Sequence, residues 1–149
     1  MLYVECHPDT VLVRTLGIPK REIRHVHSKG NVCNRLSKSR DSVGLIDEDP
    51  NSAQPNYLKT LKLVEEKHDL RLLADKNNNR VVVICPTLES WIVVASREAG
   101  IILKKFNLPD DPYKLHQHVN LKLDKFEQLI KELIDNSQRI KTLKRFLIE

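Results

Sequence analysis

The sequence predicts an α/β fold with a mostly parallel central sheet flanked by helices, a late β-hairpin and a helical C-terminal tail. Over residues 2–47, three short apolar segments alternate with two segments of helical spacing. Strands that are separated by helices form right-handed crossovers, so these three are expected to lie parallel in one sheet. Beyond residue 100 the clearest apolar patterns are helical, which predicts the tail.

The first half of the chain is predicted to supply three strands and two helices. The strands are predicted at Leu2–Cys6, Glu22–His27 and Ser42–Asp47. The first helix is predicted to start near residues 9–10, an Asp-Thr pair suited to capping, and to stop at Gly17. Val32, Cys33 and Leu36 mark one face of a short second helix.

A third helix and a hairpin are predicted next. Leu58, Leu61 and Val64 recur at helical spacing, which predicts a helix within Tyr57–Lys67. Two apolar strands follow, at Leu70–Ala74 and Arg80–Cys85, and they flank the turn Lys76–Asn79. Asparagine tolerates positive φ, which favours a hairpin at this turn.

The remaining chain is predicted to be helical. Thr87–Ala99 has the pattern of an amphipathic helix, and Gly100 ends it. The tail then carries two apolar stripes, one at Phe126, Leu129, Ile130, Leu133 and Ile134 and one at Ile140, Leu143, Phe146 and Leu147. Stripes of this kind are typical of a buried helix face. The second stripe also leaves room for a homodimer.

Length and composition predict a single domain at 1–149, with an α/β core at 1–100 and the helical tail at 101–149. Hydrophobic residues make up 40% of the chain and charged residues 30%, as in ordinary globular domains. No apolar run approaches the ~18 residues that cross a bilayer, and no signal peptide is recognisable, so no membrane partner is expected. Cys6, Cys33 and Cys85 form no Cys-x-x-Cys pair, which indicates reduced thiols in a cytoplasmic protein.

Charge is unevenly distributed along the chain. The segment Arg14–Arg40, hereafter the basic segment, holds eight basic residues and one acid, Glu22, although the whole chain carries only +5. The next ten residues, Asp41–Pro50, hold four acids and no base. A solvated surface explains such a pattern as well as a binding site does. A basic surface beside acids also suits a polyanion held next to a metal ion.

Three carboxylates are predicted to meet at the carboxyl ends of the strands. Asp47 and Asp49 end the third strand, and in an extended chain residues two apart point the same way. Glu5 ends the first strand, which commonly lies near the centre of a parallel sheet. Ligand crevices of such sheets form at this edge, and Mg²⁺ prefers hard oxygen ligands. Asp9 could join the group, although a helix cap is the simpler role for it.

These motifs together resemble the Toprim domain, the Rossmannoid catalytic domain of topoisomerases, primases and overcoming-lysogenization-defect nucleases. The matching segments are Tyr3–Asp9, with the first Glu, and Val43–Pro50, with the Asp-x-Asp. His27–Val32 and Cys85–Trp91 are similar to helix starts of small stand-alone Toprim-like proteins linked to phage defence or mobile elements. The resemblance covers about residues 2–100. Where the family usually has Gly after the first Glu, this chain has Cys6.

The resemblance implies a Mg²⁺- or Mn²⁺-dependent nuclease or phosphoryl-transfer protein that acts on DNA or RNA. Glu5, Asp47 and Asp49 would be the catalytic and metal-binding residues, with Glu5 as general acid or base or as a further ligand. The implied substrate-binding residues are Asp9, Lys29, Gly30, Asn31 and Glu89. A partner ATPase is implied as a further option, because the chain lacks the extra domains of a topoisomerase or a primase.

Other interpretations remain open at this level. The same surface could belong to a non-catalytic module that binds nucleic acid or protein. A receiver-like phosphoacceptor domain also has acidic strand ends, but it would need a lysine after a late strand, and Arg80–Cys85 is followed by Pro86. The six histidines match no zinc site and are assigned structural roles. His7 is the exception, since it closely follows Glu5 and could line the crevice.

Overall fold

The computed structural model describes all residues, 1–149. The strands are β1 (Leu2–Val4), β2 (Ile23–His25), β3 (Val43–Asp47), β4 (Lys62–Lys67), β5 (Leu70–Ala74) and β6 (Arg80–Ile84). The helices are α1 (His7–Thr15), α2 (Lys29–Ser37), α3 (Leu88–Glu98), α4 (Pro112–His118), α5 (Leu123–Asn136) and α6 (Gln138–Ile148). Short 3-10 turns cover Lys20–Glu22, Asn56–Thr60, Leu103–Phe106 and Val119–Leu121. None of these helices combines the length and the apolar character that crossing a bilayer requires.

One six-stranded mixed sheet forms the centre of the fold. Its strand order is β2-β1-β3-β6-β5-β4. The first four strands in this order are parallel, and β5 and β4 are antiparallel additions. The predicted α/β class and the predicted hairpin of β5 and β6 are therefore confirmed. Strand β1 lies inside the sheet, so residues that follow it reach a crevice between neighbouring strand ends.

The predicted helix over Tyr57–Lys67 is wrong. This segment is a 3-10 turn followed by the edge strand β4, which pairs with β5. A two-residue turn, His68-Asp69, joins the two strands, and both residues have positive φ, 54° and 58°. Leu63 and Val64, two of the apolar residues in β4, are 56% and 60% exposed. Backbone pairing with β5, and not burial of an apolar stripe, therefore determines the structure here.

The helical tail belongs to the main core. Helices α5 and α6 bury both predicted stripes against α1, α3 and one face of the sheet. Ile140, Leu143, Phe146 and Leu147 are at most 4% exposed. This second stripe, which by sequence leaves room for a homodimer, is therefore buried inside the chain's own core. Residues of the tail and of the α/β part share one hydrophobic cluster.

Helix α2 covers the opposite face of the sheet with a smaller apolar cluster. It packs closely on β3 at Gly44, where an added Cβ would lie 2.6 Å from Leu36 Cδ1 and 2.8 Å from Val32 Cγ1. Only glycine leaves room for this approach. The contact fixes the start of α2 beside the carboxyl end of β1, where the acids lie.

Candidate functional site

Glu5 and Asp47 meet at the carboxyl edge of the sheet. Glu5 directly follows β1, and Asp47 is the last residue of β3, the neighbouring strand. The Asp47 backbone N–H donates a hydrogen bond of 2.8 Å to Glu5 Oε2. The parallel register of β1 and β3 thus places the two carboxylates in one crevice, as the topology leads one to expect.

Asp9 is both a helix cap and a member of this group. It is the third residue of α1, only 2% exposed, and its Oδ2 accepts the Cys6 backbone N–H at 3.3 Å. Cys6 occupies the cap position with φ −143° and ψ 172°. This is extended backbone that any residue adopts, so the turn after Glu5 does not require glycine.

Three helices begin at this crevice, and each presents its N-terminus to an acid. Burial raises the pKa of both Glu5 and Asp47, and the backbone N–H groups of Lys29, at the start of α2, and of Leu88, at the start of α3, partly oppose that rise. Asp9 lies in the first turn of α1. Because the N-terminal end of a helix carries partial positive charge, it stabilises negative charge placed there.

Burial nevertheless dominates the electrostatics of the acids. It raises the pKa of Asp47 to about 8, with further increases from the charges of Asp9, Glu5 and Glu89. It raises the pKa of Asp9 to about 7, with added repulsion from Glu5 and Glu89. The pKa of Glu5 is also raised, first by burial, while the Lys29 charge lowers it and Asp49 raises it. Desolvated, mutually repelling carboxylates of this kind are stabilised by a cation.

Asp49 belongs to this group, but the chain between Asp47 and Asp49 is not extended as predicted. The strand ends at Asp47, and Asp49 has φ +40°, so the two do not lie side by side on an extended chain. The Asp49 N–H donates to the Pro86 carbonyl at 2.8 Å, and its side chain is exposed. Its charge still acts on Glu5. We call Glu5, Asp9, Asp47, Asp49 and Glu89 the carboxylate cluster.

Lys29 holds the loop after β3 and has no donor left over. The residue is 8% exposed, and its Nζ donates to the Glu48 carbonyl at 2.7 Å, Ser52 Oγ at 3.1 Å and Gln54 Oε1 at 3.3 Å. An ammonium group has three donors, so in this structure Lys29 is not free to contact a phosphate. It acts instead through its charge on Glu5 and through the loop that carries Asp49.

Gly30 and Asn31 lie in the first turn of α2. The Asn31 N–H is capped by Ser28 Oγ at 3.0 Å, and the Asn31 side chain donates to the Val26 carbonyl at 2.7 Å. Both residues are exposed. Asn31 thus has a local structural role, and Gly30 remains accessible beside Glu5.

Glu89 connects the cluster to the tail. Its Oε1 lies 3.0 Å from Nδ1 of His116 on α4, and the Glu89 side chain is 12% exposed. Sequence analysis assigned His116 a structural role, and it lies 27 residues from Glu89 along the chain. No local pattern could have paired the two, since the contact depends on how the tail folds back over α3.

The basic segment does not surround the cluster. Lys20 and Arg21 precede β2, and Lys38 and Arg40 follow the end of α2. Since β2 starts and α2 ends at the amino edge of the parallel strands, these four exposed residues lie at the edge opposite the acids. Arg24, within β2, lies between the two edges. The exposed basic residues of the basic segment therefore lie mainly on the β2 and α2 side of the molecule, away from the crevice.

The crevice offers carboxylates but no complete set of metal ligands. No group of three or more His, Cys, Asp or Glu side chains is arranged to hold an ion directly. Mg²⁺ keeps several waters and commonly takes only one or two carboxylates. An ion held by these carboxylates would therefore have to keep several of its waters. The largest cavity, of about 620 Å³, lies elsewhere, and its acid Asp75 already accepts hydrogen bonds from Tyr57 and Asn77.

Comparisons with known proteins give no relative: no family model, no curated protein and no solved structure matches this chain.

Proposed function

We propose that this chain is a Toprim-type, Mg²⁺- or Mn²⁺-dependent nuclease or phosphoryl-transfer protein that acts on nucleic acid. One observation carries the proposal: acids from two adjacent parallel strands and from the first turns of α1 and α3 converge in one partly buried crevice. The pKa values of Asp9 and Asp47 are raised to about 7 and about 8. Mutual repulsion among these desolvated acids costs stability that their local hydrogen bonds only partly offset, so the arrangement favours a bound cation.

Asp47 would be the main ligand of the ion, with Glu5, Asp49 and Glu89 as further ligands that reach it directly or through water. When bound, the metal supplies charge stabilisation to a phosphodiester under attack. The chain's own groups position the acids for that chemistry. The start of α3 fixes Asp47, and the Lys29 hydrogen bonds fix the loop that presents Asp49.

Glu5 is the best placed proton-transfer group. Burial raises its pKa from the ordinary glutamate value, which brings its protonation nearer to neutral pH. The hydrogen bond from the Asp47 N–H holds one carboxylate oxygen in place. A group held in this way can exchange a proton at a defined position.

Nucleic acid is the proposed substrate because of the basic segment. Its eight bases against one acid favour a polyanion. The exposed basic residues lie on the β2 and α2 side of the molecule, from the amino edge of the sheet to Arg24 within β2. Action within a defence system or mobile element, with a partner ATPase, rests on the resemblance alone and is proposed on that basis.

A metal-dependent cleavage assay tests the proposal. Labelled single-stranded DNA, single-stranded RNA and duplex DNA are incubated with the protein and Mn²⁺ or Mg²⁺, beside the Asp47→Asn variant. We expect weak cleavage of at least one substrate, lost without metal and in the variant. Equal products from wild type and Asp47→Asn would mean contamination or a different site.

One observation favours the alternative of a non-catalytic binding module. The Lys29 ammonium, expected to contact phosphate, donates all its hydrogen bonds inside the protein. A protein that binds metal and nucleic acid yet cleaves neither DNA nor RNA, with or without an added partner ATPase, would favour this alternative.

A further inference from the structure

Three imidazole rings form a continuous stack beside the carboxylate cluster. The ring centroids of His7 and His25 are 4.3 Å apart, and those of His25 and His27 are 4.1 Å apart. His25 is therefore the middle ring. His7 opens α1 two residues after Glu5, and His25 ends β2, so the stack lies at the same carboxyl edge of the sheet as the acids.

The outer rings are accessible and the middle ring is not. His7 and His27 are exposed, and His25 is half-buried. Burial lowers the pKa of His25, with further lowering by His7 and His27, which favours a neutral middle ring. His27 has φ +78°, an uncommon conformation for a non-glycine residue. The chain thus holds His27 in a strained backbone conformation with its ring on His25.

Metal binding does not explain the stack. The planes of neighbouring rings are tilted by 57° and 47° at contact distance, so the rings pack against one another in a tilted arrangement. No set of three His, Cys, Asp or Glu side chains is arranged to hold an ion. Exposed aromatic rings beside a basic side chain, here Arg24 next to His25, are instead what proteins use to hold unpaired bases.

We propose that His7, His25 and His27 form a platform on which unpaired bases of single-stranded nucleic acid stack, beside the carboxylate cluster. The inference rests on the proposed function in taking nucleic acid as the substrate, and it adds the class, single-stranded. Bases inside a duplex already stack on one another and do not offer their faces. Two exposed arginines, Arg24 within β2 and Arg21 just before it, would neutralise phosphates of the same strand.

Fluorescence anisotropy in metal-free buffer tests the platform. The probes are labelled DNA and RNA oligonucleotides of about 12 nucleotides, within the usual site size, an abasic strand of equal length, and a duplex. The variants are His27→Asn, because asparagine tolerates positive φ, and His7→Ala, which removes the other outer ring. His7→Phe restores an aromatic face, and His118→Ala removes an exposed histidine far along the chain.

We expect His27→Asn and His7→Ala each to weaken binding of base-bearing single strands by roughly 5- to 100-fold. Binding of the abasic strand should not change, His7→Phe should recover most of the loss, and His118→Ala should match wild type. Preference for DNA or for RNA is compatible with the platform in either direction, since both offer unpaired bases.

Two results would overturn the platform but leave the proposed function standing. One is that both ring variants keep the full, salt-dependent affinity of wild type for base-bearing single strands. The same conclusion follows if the variants lose as much affinity for the abasic strand as for the base-bearing strands. The other is duplex binding as tight as single-strand binding. A wild-type protein that binds no nucleic acid under any of these conditions would overturn the platform and the proposed substrate together.

Discussion

The carboxylate of Glu5 accepts the backbone N–H of Asp47 at 2.8 Å, across the neighbouring strands β1 and β3. This contact fixes the Glu5 carboxylate through the backbone of Asp47, the second acid of the site. Register between the strands therefore determines the spacing of the site. Glu5 and Asp47 are 42 positions apart in the sequence, and the sheet makes them direct neighbours.

The pH dependence of stability should be inverted relative to ordinary acid denaturation. The pKa of Asp47 is raised to about 8 and that of Asp9 to about 7, chiefly by burial. Between the ordinary aspartate pKa near 4 and these values, the folded state binds more protons than the unfolded state, so stability falls as pH rises. We expect the Tm of the metal-free protein to decline from about pH 5 to pH 8.

Thermal unfolding in EDTA between about pH 5 and pH 8 shows whether Tm falls or rises with pH. The Asp47→Asn variant provides the control. Asparagine does not ionise, so the slope of Tm against pH should be smaller in this variant than in wild type. A metal-free Tm that rises steadily toward pH 8 would contradict the burial of these acids.

Glu5→Gln should separate metal binding from turnover. Glutamine keeps an oxygen that accepts the Asp47 N–H, so the crevice should keep its shape. It removes the ionisable group, and a proton-transfer group is typically worth on the order of 10²–10⁴ in rate. We expect Mn²⁺ to stabilise the variant nearly as well as wild type while cleavage falls by that factor. Unchanged cleavage would remove Glu5 from proton transfer.

Lys29→Met should loosen the loop after β3. The change removes three hydrogen bonds, to Glu48, Ser52 and Gln54, from a residue that is 8% exposed. Losing buried donors of this kind costs on the order of 1–3 kcal/mol. Chemical denaturation measures the loss, and limited proteolysis within residues 48–55 should become faster. The matched control is Lys38→Met, an exposed lysine at the end of the same helix; a loss of similar size there would contradict the role of Lys29.

Salt should weaken nucleic-acid binding, and we expect the arginines on the β2 side of the molecule to account for much of this dependence. Each neutralised phosphate contributes about one unit to the slope of log K against log salt. Replacing both Arg21 and Arg24 by Gln should therefore reduce the slope by up to about 2. Lys141 and Lys144, exposed on α6, give a control pair with the same change in charge. Equal effects of the two pairs would mean that binding is not localised to this side.

Much of the fold follows from local sequence patterns. β1, β3, the hairpin of β5 and β6, and α3 have clear apolar runs, turn residues or caps, and the structure contains all of them. β4 was missed because Val64 continues a helical spacing set by Leu58 and Leu61, which precede the strand, and because its turn, His68-Asp69, lacks the usual Asn-Gly signal for two positive φ values. Pairing with a distant partner overrides such weak local preferences.

The candidate site was only partly predictable for a similar reason. Strand ends identified Glu5 and Asp47, since topology brings parallel strand ends together. Asp9 looked like a cap and is one, but only the structure reveals its buried position among the other acids. The contact of His116 with Glu89 and the stack of His7, His25 and His27 depend on tertiary packing. No periodicity in the sequence encodes them.

Titration of Mn²⁺ into the wild type and the Asp47→Asn variant, followed by calorimetry and thermal unfolding at pH 8, tests the carboxylate cluster most directly. Asparagine preserves the size of the side chain and removes a charge that the cation needs. In the absence of metal we expect the variant to melt about 2–4 °C higher, the shift that 1 kcal/mol produces in a domain of this size. With metal, wild type should release heat on binding and gain stability, and the variant should do neither. A wild-type protein that shows no heat and no Mn²⁺-dependent shift in Tm would contradict the metal site.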